Sequence, residues 1–146
     1  MYKTIVLAYD GSEAGQRALL DCQEIGQWSQ ARLHLVAVMA PPIAMVAADA
    51  WVVNPAIDDA EKQRFQAVLD DGLKRLRDAG LQAEGRVVVG SAVDEIVSVA
   101  KAVQANLIVL GHKHLDSWTE RWWRGSSVSR SLIEYAPCSV LIVITH

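Results

Sequence analysis

Thr4-Ile5-Val6-Leu7-Ala8 runs directly into Tyr9-Asp10-Gly11-Ser12-Glu13, and this opening decides the fold. The first five residues are almost wholly apolar and rich in β-branched side chains, the composition of a strand covered on both faces. Ser12 is a good helix N-cap, and Glu13 suits the positive end of a first turn. A buried strand that hands the chain straight to a helix predicts a β-α unit, and the same succession recurs downstream.

The helix that follows carries Ala18, Cys22 and Ile25 at i, i+4 and i+7, with Leu19 beside them, and is expected to fray at Gly26. Leu33 to Val38 reads as a second buried strand, stopped by Pro41-Pro42. Residues 39–57 are apolar but show neither the helical nor the strand period. A connection of that length reads as a functional loop or a flap, its helical or irregular form left open. Asp58-Asp59 starts the next helix, which places Phe65, Val68, Leu69, Gly72, Leu73 and Leu76 on one stripe and stops at Gly80. Leu81 to Val89 then alternates polar Gln82, Glu84 and Arg86 with apolar neighbours, the pattern of an edge strand with one wet face.

Gly90-Ser91 opens a third helix with Val93, Ile96, Val97, Ala100 and Val103 inward. Leu107-Ile108-Val109-Leu110 is apolar throughout and predicts a central strand, ended by Gly111. A polar, Trp-rich loop runs from Gly111 to Arg124. Gly125-Ser126-Ser127 opens the last helix, Pro137 ends it, and Val140 to Ile144 is the closing strand. Strands that alternate with helices imply right-handed crossovers and a parallel sheet clothed on both faces. The expected fold is therefore α/β, a five-stranded doubly wound sheet forming one domain over residues 1–146.

Composition agrees with that class. With 146 residues, 51% apolar and 21% charged, the chain is long enough to bury about 68–70% of its unfolded surface. A formal charge of −3, with 14 Lys and Arg spread along the chain, argues against a broad nucleic-acid face. The longest apolar-looking stretch, Ala37 to Ala56, contains Asp49, Asn54 and three prolines, so it does not read as a membrane span. No signal-peptide architecture is read before Ile5, and Cys22 and Cys138 read as buried thiols. The expected location is the cytoplasm.

Ligands of such sheets bind at the carboxyl ends of the strands, where the strand order switches direction. That rule nominates Asp10-Gly11-Ser12, Val38-Met39 and the Gly111–Ser127 loop. In the loop, Gly125 precedes two serines at a helix start, whose free N–H groups and partial positive charge suit an anion. His112, Lys113, His114, Arg121 and Arg124 lie between the glycines, a high density of cationic groups for an acidic protein. A phosphate is the natural guest, although Gly125-Ser126 also serves as an ordinary helix cap.

These residues resemble the universal stress protein (UspA-like) family. The likeness rests on Ile5-Val6-Leu7-Ala8-Tyr9-Asp10-Gly11-Ser12, on Asn106-Leu107-Ile108-Val109-Leu110-Gly111, and on Gly125-Ser126 followed by Ala136-Pro137-Cys138-Ser139-Val140-Leu141-Ile142-Val143. It spans essentially the whole chain. The resemblance implies an open parallel sheet in the order 3-2-1-4-5, of the adenine nucleotide alpha hydrolase-like kind. It also implies a homodimer paired through the last strand, Val140 to Ile144. One branch of the family binds ATP and another does not.

ATP binders in the family carry Gly-x2-Gly-x9-Gly-Ser/Thr. Here Gly111-His112-Lys113-His114 is followed by ten residues and then Gly125-Ser126, so His114 replaces the second glycine and the spacer is one residue longer. Carried over position by position, the resemblance puts Asp10 and Val38 on the adenosine side. Gly111, Gly125, Ser126 and Ser127 fall on the phosphate side, with His112, Lys113 or His114 assisting. ATP or another adenine nucleotide is the implied regulatory ligand, with Mg²⁺ held by its phosphates. Two other functions stay open: a nucleotide-free module that binds a protein partner through the Trp loop and the 39–57 flap, and a weak ATP hydrolase.

Blander readings account for several conspicuous residues. His112, His114 and Asp116 alternate as metal ligands do, but no fourth protein ligand is identifiable, so no dedicated metal site is assigned. Trp118, Trp122 and Trp123 offer a stacking platform or a partner surface, but Trp122 and Trp123 read in preference as a cover over the sheet end. His34 reads as a satisfied core histidine. The sequence contains no G-x-S-x-G, H-E-x-x-H or G-x-x-x-x-G-K-[ST], and no catalytic residue is assigned.

Overall fold

A computed structural model describes residues 1–40, 44–46, 50–52, 55–113 and 126–146, of which 44–46, 50–52, 55–58 and 126–127 are described by their backbone. In chain order the elements are β1 (Thr4–Ala8), α1 (Glu13–Ser29), β2 (Arg32–Met39), β3 (Ala44–Val46), β4 (Ala50–Val52), α2 (Pro55–Asp78), β5 (Ala83–Val89), α3 (Ala92–Ala102), β6 (Leu107–Lys113), α4 (Ser126–Tyr135) and β7 (Ser139–Thr145). Five strands form one sheet in the order β5-β2-β1-β6-β7. Every pairing in it is parallel. Counting only its strands, this is the expected order 3-2-1-4-5.

The period of two in the central strands explains the two cores. Ile5, Leu7, Leu33, Leu35 and Val109 face one way and pack with Ala18, Leu19 and Cys22 of α1 and Leu69, Leu73 and Leu76 of α2. Val6, Val36, Ile108 and Leu110 face the other way, against Ile96, Val99 and Ala100 of α3 and Leu132 of α4. Strands with both faces covered must be apolar runs, and β1 is buried at its three central residues. At the sheet's edge β5 is wetter, with Glu84, Gly85 and Arg86 exposed. Burial pushes the Cys22 thiol up to about 12, and Cys138 is half-buried.

Three local expectations are corrected. Helix α1 does not fray at Gly26 but continues to Ser29 and closes with Gln30 in the left-handed conformation, its N–H donating to the Gly26 carbonyl. Gly26 is buried within the helix, where a Cβ would press on Leu81 Cδ2 at 3.3 Å and Leu33 Cδ1 at 3.4 Å. Gly111 does not end its strand: β6 continues to Lys113, paired through Thr145 of β7. Helix α2 starts at Pro55 instead of Asp58, since proline is preorganised for a first helical position. Within 39–57, a segment whose helical or irregular form the sequence leaves open, β3 and β4 pair antiparallel as a short ribbon and residues 55–57 already belong to α2. Among the described residues no helix is long and apolar enough to cross a membrane.

Candidate functional site at the carboxyl end of the sheet

Strand order reverses between β1 and β6, so the crevice lies at their carboxyl ends. A cavity of about 210 Å³ opens there. Among the described residues its walls come from six elements and the turn after β1: Ala8 from β1, Tyr9 and Asp10 from that turn, Val36 and Val38 from β2, and Leu110, Gly111 and His112 from β6. Ala92 and Ile96 of α3, Val128 and Ser129 of α4, and Gly15 of α1 complete it.

The turn after β1 is fixed by a short relay. Gly15 N–H donates to Ser12 Oγ at 3.1 Å, and Ser12 Oγ donates to Asp10 Oδ1 at 2.6 Å. The Ser12 backbone N–H donates to that same Oδ1 at 2.9 Å. Ser12 is thus the N-cap that its sequence context predicts, and Asp10 is held through one carboxylate oxygen, Oδ1. Gly11 sits at φ +75°, a conformation that L side chains rarely adopt. Beside it Tyr9 is buried, which raises its phenol; Asp71 and Asp10 add to the rise and Arg75 opposes it.

On the β6 side the fold depends on a close approach. A Cβ on Gly111 would overlap the Ala14 carbonyl at the start of α1, so only glycine lets this helix end abut the strand. Strand alternation then turns His112 the other way, into the cavity. There its Nδ1 lies 3.4 Å from the hydroxyl of Ser129, a buried polar side chain on α4. Lys113, next along β6, is exposed.

Of the residues singled out from sequence, Asp10, Val38, Gly111 and His112 meet at this one cavity. Ser126 and Ser127 form the start of α4, one turn before Ser129. His114, Asp116, Gly125, Arg121, Arg124 and Trp118, Trp122 and Trp123 lie outside the described residues. Tyr9, Gly15, Ala92, Ile96, Val128 and Ser129 were not anticipated. Ala92 and Ile96 were foreseeable as the start of a helix beside the switch point, whereas Ser129 carries no local signal. His34 stands apart from the cavity in β2: it is half-buried, with Nδ1 3.7 Å from Glu84 Oε1 of β5.

Over residues 1–143 the chain matches the model of the universal stress protein family. It is 30% identical over 149 residues to a universal stress protein of Mycobacterium tuberculosis, covering 99% of this chain and 97% of that one. Among solved structures it resembles a universal stress protein family member from Burkholderia pseudomallei, at 26% identity and a TM-score of 0.76, covering 97% of this chain and 96% of the other. A universal stress protein crystallised with cAMP is similar at 26% identity and a TM-score of 0.73, covering 99% of this chain and 98% of that protein.

Proposed function

Because this chain belongs to the universal stress protein family, we propose that it binds an adenine nucleotide, ATP included, as a regulatory ligand in the cavity at the carboxyl ends of β1, β2 and β6. One observation carries the reading: Asp10, Val38, Gly111 and His112, far apart in sequence, converge on that cavity at the sheet's switch point. The relative that holds cAMP supports an adenine nucleotide as the guest.

Asp10 and the Val38 backbone would hold the adenosine. The N–H groups of Gly125, Ser126 and Ser127, together with Gly111, His112 and His114, would hold phosphate, as a helix N-terminus favours an anion. Asp10 is the single carboxylate among the described lining residues, and one of its oxygens already accepts two hydrogen bonds from Ser12. That donor set suits no protein-held Mg²⁺ cage, so Mg²⁺ would arrive on the nucleotide's phosphates with water completing its shell. The protein would act in the cytoplasm as a single-domain homodimer joined through β7.

Calorimetric titration of ATP, with and without Mg²⁺, into protein stripped by denaturation and refolding tests the proposal. The expected result is a micromolar dissociation constant, about −8 kcal/mol, weakened in Asp10→Asn. If millimolar adenine nucleotides give neither heat nor a shift in melting temperature, the proposal fails and a protein partner becomes the ligand to seek.

A further inference from the structure

We infer that phosphate recognition in this cavity is carried by a side-chain pair, His112 on β6 and Ser129 on α4, in which Ser129 orients the imidazole and the imidazole reads the ligand's charge. This rests on the nucleotide reading above and names the groups that would set its charge and pH response.

Three observations carry it. Gly111 faces α1 so closely that a Cβ would overlap the Ala14 carbonyl, which commits His112 to the opposite face, where the cavity is. Ser129 is only 9% exposed and lines the same cavity, a buried hydroxyl in an otherwise apolar stretch of wall with Val128, Ala92 and Ile96. The two side chains meet at 3.4 Å through Nδ1, and Nε2 makes no hydrogen bond to any of the described residues.

The hydroxyl serves both charge states of the ring. When the imidazole is neutral, Ser129 O–H donates to Nδ1 and the proton sits on Nε2. When it is protonated, Nδ1–H donates to Ser129 Oγ and Nε2–H is retained. A phosphoryl oxygen therefore meets an N–H donor in either state, and only the ring's charge changes. The other titratable groups on the described lining are Tyr9 and Asp10, both from the end of β1. The described lining residues of β2, α3 and α4 carry no charge, and on β7 the residue paired with His112 is Ile144. Among the described lining residues His112 is the one that gains positive charge on acidification.

A charge-assisted hydrogen bond is roughly twice as strong as a neutral one. Affinity for a phosphate-bearing ligand is therefore higher when the imidazole carries its second proton, and falls when a rise in pH removes it. Affinity for adenosine, which lacks the phosphate, stays level. Cyclic AMP is the suitable probe, because its phosphodiester keeps one constant charge across that range.

The experiment is calorimetry of cAMP and of adenosine with the full chain at about pH 5.5 and about pH 8. The wild type is expected to bind cAMP about fivefold more tightly at the lower pH, with adenosine unchanged. His112→Gln, which keeps a donor but no titration, should bind cAMP equally at both. Ser129→Ala should weaken cAMP about threefold without affecting adenosine, and Ser129→Thr should restore it. In NMR spectra, the ring signal that disappears in His112→Gln should move when cAMP is added and stay in place when adenosine is added. Level cAMP affinity in the wild type, or a pH response that survives in His112→Gln, overturns the pair while adenosine binding upholds the nucleotide reading. If adenosine, cAMP and ATP all fail to bind, both fall.

Discussion

Gly111 is pressed from one side by the start of α1 and paired on the other with Val143 of β7. Its neighbours are backbone atoms of Ala14 and Gly15, which have no rotamer by which to yield. Gly111→Ala is therefore expected to destabilise the fold by about 3 kcal/mol, read as a lower urea midpoint at unchanged slope. A midpoint within error of the wild type would mean that α1 moves aside at little cost. In the sequence this glycine reads as a strand end and part of a phosphate cradle. Its packing role was illegible because the atoms it avoids lie almost a hundred residues earlier. Asp10 and Ser12 were more legible, since capping is settled within a few residues of local chain.

Between elements, the β2–β5 ladder at the sheet's edge places His34 opposite Glu84. Burial holds the His34 imidazole below its ordinary range; Glu84 pulls it back up, while Arg86 and Arg32 push it further down. A histidine that is harder to protonate in the folded chain than in the unfolded one favours the fold above its unfolded value, about 6.5, and loses that advantage as pH falls. The melting temperature should accordingly drop on acidification from about pH 7 to about pH 5, with a smaller drop in His34→Gln. Identical drops in the two proteins would show that protonation of His34 is not coupled to folding. The wet face of β5 was legible only in part: Glu84 and Arg86 are exposed as their polar side chains require, but Gly85 between them is exposed too. The end of α1 was not legible, because Gly26 packs against Leu33 of β2 and Leu81 ahead of β5, residues outside the helix.

For the molecule as a whole, β7 is the last strand of the described sheet, with β6 on one side, and its Ile144 is 55% exposed. An exposed apolar edge strand invites pairing with a second copy, and a lysine there blunts it. The proposed homodimer thus predicts that the wild type sediments as a dimer at micromolar concentration and that Ile144→Lys shifts it toward monomer. A monomeric wild type would remove β7 as an interface.

The alternation of the five sheet strands with helices and the parallel sheet were determined by the sequence. Each depends on local composition: a strand covered on both faces needs an apolar run, and a crossover helix needs a stripe and a cap. Only the tertiary structure decided that β6 continues past Gly111, that Gly26 lies inside a helix, and that His112 meets Ser129. Those outcomes depend on how two elements are registered against each other. Register comes from packing across the core, where the contacting atoms belong to residues far apart in the chain and no local pattern records the encounter.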